Sequence, residues 1–244
     1  MKSIPDKSID MICCDLPFGI TSSKWDKPLP FGELWEEYKR IIKDNRAIVL
    51  FAAQPFTSKL VMSNIDWFKY EWVWIKNNAV GFVNAKLKPM NKHETICVFS
   101  NGKTSNGNKN NMIYNPQGLL PFNKPARSGN KQGKDNTYWR PSLKSSNNEQ
   151  YIQQWTNYPT TVLEFQKVTK AIHPTQKPVE LIEYLIKTYS NEGDTILDNC
   201  MGSGSTGIAC LNTKRNFIGM ELDDKYFDMA KTRIEEHLQK IDNQ

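Results

Sequence analysis

Apolar residues recur along this chain with two spacings, which predict an alternation of strands and helices. Short apolar runs rich in β-branched residues predict strands, and apolar positions three and four residues apart predict amphipathic helices. The predicted strands are residues 9–14, 47–51, 70–75, 93–99, 195–197 and 216–220, and the predicted helices are 34–43, 56–62, 177–189, 206–212 and 223–239. Because strands and helices alternate, we expect an α/β domain whose mostly parallel sheet carries helices on both faces.

Between residues 101 and 160 this periodicity is lost, over a length that is uncommon for a simple connection. We therefore predict a discontinuous domain of residues 1–100 and 161–244, interrupted by an irregular insertion of residues 101–160. Residues 101–150 hold eight basic and two acidic side chains, a balance equal to the formal net charge of the whole chain, +6. Basic and aromatic residues on a polar segment suit a phosphate backbone and unstacked bases, although a solvated loop with incidental lysines is the alternative.

Composition narrows the class of protein. The 244 residues are 39% hydrophobic, which suits one well-buried domain with an insertion. No apolar run approaches the roughly 20 residues of a membrane span, and the first residues lack the apolar stretch of a signal peptide. Five cysteines are present without a CxxC or Cys/His spacing. We therefore expect a cytoplasmic protein with no metal site and no membrane association.

A glycine-rich turn follows the predicted strand 195–197. Asp198 ends this strand, and Gly202, Gly204 and Gly207 have the G-x-G-x-x-G spacing before a predicted helix. Glu221 closes the next strand, where an acid can accept hydrogen bonds from a ribose diol. The spacing alone fits a dinucleotide, a different nucleoside cofactor, or a tight strand–helix turn that binds nothing.

Charge favours S-adenosylmethionine over a dinucleotide at this turn. A pyrophosphate needs a positive pole, whereas Asp198 stands before the loop with no basic residue near it in sequence. S-adenosylmethionine has an ammonium and a sulfonium group and no phosphate, so an acid complements it. The loop also lies near the C-terminus, and only one further strand and helix follow it.

A second predicted strand ends in an acid, at Asp15-Leu16-Pro17-Phe18. Such a corner is often only a turn. Its chemistry nevertheless suits a nucleobase amine, since a carboxylate and a backbone carbonyl can accept the two amino hydrogens and localise the nitrogen lone pair. Pro17 stiffens the corner, and Phe18 offers a flat face on which a flipped base can stack.

Together these segments resemble the amino-methylating DNA methyltransferases, the N6-adenine/N4-cytosine family, in the order of its permuted β group. Residues 15–18 are similar to the family's Asp-Pro-Pro-Tyr/Phe motif, and residues 198–206 to its cofactor loop. Residues 173–178, 217–221, 70–76, 84–86 and 93–94 also match the family pattern. The resemblance covers most of the chain except residues 101–160, which in that group form the target-recognition region.

This resemblance implies a Rossmann-like sheet, S-adenosylmethionine as cofactor and double-stranded DNA as partner. The implied catalytic residues are Asp15, Leu16, Pro17 and Phe18. The implied cofactor-binding residues are His173, Lys177, Asp198, Cys200, Met201, Gly202, Ser203, Gly204, Thr206 and Glu221. The candidate DNA-binding residues are Arg127, Lys131, Lys134, Tyr138, Trp139 and Arg140.

We therefore expect a site-specific DNA methyltransferase acting on adenine N6. The leading Asp15 favours adenine by family association, because serine is commoner there in the cytosine enzymes; cytosine N4 is the alternative. Family members usually carry a Gly-Asp strand before the segment that begins here at Lys2, so a catalytically impaired DNA- or cofactor-binding fragment is a further alternative. A nicotinamide dehydrogenase fits least well. A homodimer and a restriction endonuclease partner are left open.

Overall fold

The computed structural model describes residues 1–20, 26–127, 150–168 and 176–243. The chain forms two compact units. The first comprises Met1–Asn115 and Thr160–Gln244, and the second comprises Pro116–Pro159. In chain order the elements are β1 (Ile9–Asp15), α1 (Phe31–Ile41), β2 (Ile42–Ala52), α2 (Phe56–Ser63), β3 (Phe68–Val80), β4 (Asn91–Phe99), β5 (Leu120–Arg127), β6 (Gln150–Thr156), β7 (Val162–Glu164), α3 (Val179–Tyr189), β8 (Thr195–Asp198), α4 (Ser205–Asn212), β9 (Asn216–Gly219) and α5 (Asp224–Asp242).

A seven-stranded sheet forms the centre of the first unit, in the order β7-β3-β4-β2-β1-β8-β9 within the described ranges. Strand β4 pairs antiparallel with β2 and β3, and the other four pairings are parallel. The predicted mostly parallel sheet is confirmed. Ile12 of β1 lies opposite Leu197 of β8, so the carboxyl ends of these two parallel strands share one edge of the sheet. That edge is where α/β sheets bind ligands.

Both faces of the sheet carry helices, as the alternating pattern predicted. On β1, Met11 and Cys13 join a buried cluster with α3 and α4. Ile12 and Cys14 face the other way, into a cluster with α1 and α2. Each large side chain buried in this way contributes roughly 1.5–3 kcal/mol, so the strand is held from both faces and its carboxyl end is fixed in place.

Helix α1 begins and ends earlier than its apolar pattern predicted. The helix ends at Ile41, whereas the prediction continued to residue 43. Ile42 is buried like its helical neighbours, but it pairs with Ile9 as the first residue of β2. An apolar residue can satisfy a helix face or a strand face equally well, so the pattern alone did not locate the boundary.

The segment predicted to be irregular contains regular structure. Strands β5 and β6 pair antiparallel in the second unit, from Leu120 opposite Thr156 to Arg127 opposite Gln150. Pro121 and Pro125 lie in β5 and interrupt the composition that usually marks a strand, which concealed it. The predicted insertion began at residue 101, but residues 101–115 belong to the first unit, where the Ile113 amide donates to the Asn45 carbonyl.

Candidate active site

A cavity of about 690 Å³ lies at the carboxyl edge of the sheet. Its volume is typical of small-molecule sites. Asp15 at the end of β1 and Asp198 at the end of β8 both line it. The two acidic strand ends that the sequence singled out therefore face the same space.

Most predicted site residues in the described ranges line this cavity. From the cofactor set they are Lys177, Asp198, Cys200, Met201, Gly202, Ser203, Thr206 and Glu221, and from the catalytic set Asp15 and Pro17. Gly204 caps the first turn of α4, and the Leu16 side chain is buried in the core cluster with α1 and α2. Phe18 stacks on Phe56 of α2 with ring centroids 5.1 Å apart.

Asp198 organises the glycine loop. Its carboxylate accepts a hydrogen bond from the Thr206 hydroxyl at 2.6 Å and another from the Cys200 amide at 3.1 Å. The residue is only 4% exposed, and burial raises the pKa of this carboxyl to about 6. Asp198 thus ties the strand end to the first turn of α4, and above this pKa it places a negative charge in the cavity wall.

Glu221 fastens the other side of the loop. One carboxylate oxygen accepts from the Gly202 amide at 2.9 Å, and the other accepts from the amides of Leu222 and Asp223. The carboxylate lies just past the end of β9 and lines the cavity. A second acid thus stands beside the glycine turn, at the position where a ribose diol would need an acceptor.

The donor set of this cavity fits S-adenosylmethionine. Two carboxylates complement a cationic ligand, the Met201 and Met220 side chains provide apolar wall, and Gly202 brings backbone close to the space. In the part of the chain that the structure describes, no cluster of histidine, cysteine and acidic residues could hold a metal ion. The residues present therefore suit a nucleoside cofactor bearing positive charge.

Gly204→Ala should destabilise the protein, because the loop leaves no room for a side chain there. Gly204 has a φ of 73°, and an added Cβ would lie 3.1 Å from the Ala230 Cβ and 3.3 Å from the Ala230 carbonyl oxygen. The left-handed conformation alone costs roughly 1–2 kcal/mol for alanine. Chemical denaturation should show at least this loss in the free energy of unfolding.

Gly32→Ala is the matched control for Gly204→Ala. Gly32 lies in α1, and a Cβ added there would have nothing within 4 Å. The free energy of unfolding of this variant should therefore rise by roughly 0.5–1 kcal/mol. Equal stability of the two variants would show that the glycine loop tolerates a side chain.

Asp15 is held by a lysine from the segment before α3. The Lys177 ammonium lies 2.5 Å from Oδ2 of Asp15. The other carboxylate oxygen, Oδ1, is buried and has no hydrogen-bond partner among the described residues. Burial raises the pKa of the Asp15 carboxyl above its ordinary value, while Lys177 opposes this rise. A buried acceptor without a donor costs roughly 1–3 kcal/mol, which marks this oxygen as a candidate for a substrate donor.

Two further charged side chains extend this pair into a network. Glu94 of β4 lies 3.5 Å from the Lys177 ammonium and also accepts from the Lys76 ammonium of β3. Burial disfavours the charged form of Glu94, but the two lysines hold its pKa below the ordinary value. Burial likewise disfavours the ammonium of Lys177, yet Asp15 and Glu94 raise its pKa. Acids and bases thus alternate along the network, from Asp15 through Lys177 and Glu94 to Lys76.

The network shows which side chains Lys177 contacts, which the sequence did not specify. Lys177 was predicted to bind the cofactor, and its side chain lies on Asp15 and Glu94 while still lining the cavity. Sequence reasoning assigned no role to Lys76 or Glu94. The available signal was that both ionisable residues adjoin apolar strand segments, residues 72–75 before Lys76 and residues 96–99 after Glu94.

Asp26 holds the backbone of Gly19 and Ile20, directly after the corner of residues 15–18. Its carboxylate oxygens accept from the amides of Gly19 and Ile20 at 2.7 and 3.0 Å.

Several predicted residues lie outside the described residues, namely His173, Lys131, Lys134, Tyr138, Trp139 and Arg140. Arg127 is described only as backbone in β5.

Comparison with known proteins identifies the relatives of this chain. The Type II methyltransferase M.HpaI of Haemophilus parainfluenzae is 25% identical over 261 residues, spanning 100% of this chain and 73% of that protein. M.HinfI of Haemophilus influenzae is 28% identical, spanning 97% of this chain and 66% of that protein. The DNA adenine methyltransferase YhdJ of Escherichia coli is 26% identical, and the match spans 96% of this chain and 79% of that protein.

Solved structures agree with these sequence relatives. The M1.HpyAVI–SAM complex has a TM-score of 0.59 and 26% identity, with coverage of 93% of this chain and 89% of that one. The PvuII DNA methyltransferase (cytosine-N4-specific) has a TM-score of 0.62 at 15% identity, with coverage of 99% of this chain and 88% of that one. At this identity the likeness supports the fold alone.

The family is settled by a match over most of the chain. The family model described as DNA methylase covers residues 9–232, from β1 into α5. That span includes the catalytic corner, the glycine loop and the acid after β9. The predicted resemblance and the predicted cofactor, S-adenosylmethionine, are confirmed. The chain belongs to the DNA methylase family, and the glycine loop and the acidic corner singled out in its sequence line one cavity.

Proposed function

We propose that this chain transfers a methyl group from S-adenosylmethionine to N6 of adenine in double-stranded DNA, at a specific sequence. One observation carries the proposal: Asp15, whose Oδ1 has no hydrogen-bond partner within the described ranges, lines the same cavity as the glycine loop. Adenine is supported by the match to DNA adenine methyltransferase YhdJ along 96% of this chain. The likeness to the cytosine-N4-specific enzyme rests on 15% identity and supports only the shared fold.

The cavity separates the two tasks of the reaction. S-adenosylmethionine, when bound, supplies an electrophilic methyl group on a sulfonium. The loop from Asp198 to Thr206 and the carboxylate of Glu221 would hold its nucleoside, since they form the wall beside α4 and β9. The negative charges of Asp198 and Glu221 favour a cationic ligand over a neutral one.

Asp15 prepares the nucleophile. The exocyclic amine of adenine is weakly nucleophilic because its lone pair is delocalised into the ring. An ionised Asp15 accepts one amino hydrogen through Oδ1, and the carbonyl of Leu16 or Pro17 accepts the other. Burial raises the pKa of the Asp15 carboxyl, and the Lys177 ammonium opposes this rise and so favours the carboxylate. The attack is then promoted mainly by positioning and by hydrogen bonds to the reacting amine.

Phe18 contributes by shape. Its ring stacks on Phe56 of α2, a contact that would restrict the motion of the side chain beside Asp15 and Pro17. A flipped adenine stacking on this ring would not require further ordering of the side chain. Pro17 lines the cavity beside Asp15 and stiffens the same corner.

Recognition of DNA sequence is proposed for the insertion of residues 101–160. Its candidate contacts are Arg127, Lys131, Lys134, Tyr138, Trp139 and Arg140, which are basic or aromatic. A homodimer and a restriction endonuclease in the same system are the proposed partners. In the described ranges no helix is long and apolar enough to cross a membrane, and a cytoplasmic location is proposed.

Methylation of defined duplexes tests the proposed activity. The chain is incubated with methyl-labelled S-adenosylmethionine and plasmid DNA, and the DNA is hydrolysed for mass analysis. We expect N6-methyladenine in the product and no label in a synthetic duplex without adenine. Recovery of N4-methylcytosine would contradict the adenine assignment, and the absence of any transfer would contradict the activity itself.

A further inference from the structure

The hairpin between β3 and β4 extends past the catalytic edge of the sheet. Asp15 pairs with Phe51, Phe51 with Ile96, and Ile96 with Trp72, so Trp72 marks the level of Asp15 on β3. Strand β3 continues to Val80, which pairs with Asn91 of β4. The pairing shifts register between Ile75 and Val80, so β4 covers this span with only the five residues from Ile96 to Asn91. At about 3.3 Å each, the paired hairpin extends roughly 17 Å beyond that level. We name residues 80–92 the hairpin arm.

The tip of the hairpin arm exposes large apolar side chains. A short 3-10 turn over Phe82–Asn84 follows Gly81, whose φ is 98°. Phe82 is 80% exposed, Val83 94% and Leu87 86%. Single exposed apolar residues are ordinary, but three within six positions at a projecting tip indicate a contact surface.

Charge identifies the partner of this surface. The hairpin arm carries Lys86, Lys88 and Lys92, all exposed, and no acidic residue. Such a surface complements a polyanion. Two copies of the chain would instead bring like charges together, since the arm is basic and the whole chain carries a net charge of +6. The surface therefore favours DNA over a second copy of this chain.

We infer that the hairpin arm is a DNA-contacting element separate from the insertion of residues 101–160. Its lysines contact the phosphate backbone, and Phe82 or Val83 contacts bases next to the target. This inference rests on the proposed function. Basic residues flanking an apolar wedge recur in proteins that distort the duplex, where the wedge offsets part of the cost of unstacking a base. The arm would then act before the target adenine enters the cavity.

Salt-dependent DNA binding tests the lysines. Fluorescence anisotropy with a labelled mixed-sequence duplex, without cofactor, is compared for wild type and a Lys86→Gln/Lys88→Gln/Lys92→Gln variant. The slope of log K against log salt should fall in magnitude by about three, close to one unit per phosphate contact. The matched control changes three exposed lysines elsewhere, Lys214, Lys231 and Lys240, to Gln and should leave the slope near that of wild type.

Phe82→Ala tests the apolar tip. It should keep the wild-type salt slope but lower single-turnover methylation of plasmid DNA by about tenfold or more, because the wedge acts on base opening. Val83→Ala, made separately, shows which side chain supplies the contact. Wild-type rates for both would overturn the role of the tip.

The possible outcomes distinguish a failure of the inference about the hairpin arm from a failure of the proposed activity. If wild type methylates DNA but the lysine variant keeps its slope, the inference is wrong and the activity stands. If wild type binds DNA through the arm but transfers no methyl, the activity is wrong and the inference stands. Altered sedimentation of the arm variants with unchanged DNA binding would assign the surface to self-association and overturn the inference. Thermal melting of each variant verifies that it is folded.

Discussion

Asp15→Asn is expected to lower the rate of methyl transfer on the order of 10²- to 10⁴-fold, the usual range for a positioned proton acceptor. The amide keeps one acceptor oxygen but loses the negative charge and places two donors where the adenine amine also donates. It also loses the ion pair with Lys177. Affinity for S-adenosylmethionine should change only a few-fold, since the loop from Asp198 to Thr206 and Glu221 is intact. Single-turnover kinetics and calorimetry measure the two quantities.

Asp66→Asn serves as the control for Asp15→Asn. Asp66 is an exposed acid between α2 and β3, so the same chemical change there should leave both quantities near wild type. A wild-type rate for Asp15→Asn would show that the adenine amine is prepared by another group. A loss of cofactor affinity equal to the loss of rate would show that Asp15 acts in binding rather than in the transfer.

Lys177→Met is expected to lower activity at neutral pH on the order of 10- to 100-fold and to move the acidic limb of the pH–rate profile to higher pH. Burial raises the pKa of the Asp15 carboxyl, and Lys177 is the main group that opposes this rise. Without Lys177 the carboxyl stays protonated to a higher pH, so activity that needs the carboxylate returns only as the pH is raised. The profile is measured under single-turnover conditions.

The charged surroundings of Asp15 make this shift interpretable. Glu94 raises the pKa of Asp15 and Lys76 lowers it, from β4 and β3. From β8 Asp198 shares the cavity with Asp15, and each negative charge disfavours the other. All of these groups remain in Lys177→Met, so the change isolates the loss of one cation.

Two companion variants guard against a purely structural effect of Lys177→Met. Lys177→Arg retains a cation and should recover part of the activity with a nearly normal acidic limb. Lys187→Met removes an exposed lysine of α3 and should leave the profile unchanged. A lower rate with an unmoved acidic limb in Lys177→Met would contradict the role given to Lys177, because misfolding alone does not alter a titration.

The central placement of the site was predictable from local sequence. Asp15 and Asp198 each follow a short apolar strand and precede a turn, and parallel strands in an α/β sheet end at one edge. Glycines and a following acid specified the kind of turn after Asp198. These features depend on residues close together in sequence. The meeting of the two acids in one cavity could therefore be predicted from the sequence.

The charge network was not predictable in the same way. Glu94 reaches Lys177 because β4 runs antiparallel beside β2, a register that nothing in the local pattern specifies. Lys177 itself was assigned to the cofactor, since its position in the chain cannot show which acid it contacts. Strand β5 was missed because its two prolines hide the pattern of a strand. Long-range pairing decides the contacts of Glu94 and Lys177, whereas local composition concealed β5.

A crystal structure with S-adenosylhomocysteine tests most directly whether the cavity works as argued. We expect the ribose diol to lie against Glu221, the adenosine beside the Gly202 turn, and the sulfur on the side of the cavity that faces Asp15. A ligand bound elsewhere, or a sulfur shielded from Asp15 by protein, would contradict this expectation, because no methyl group could then reach an amine held by that carboxylate.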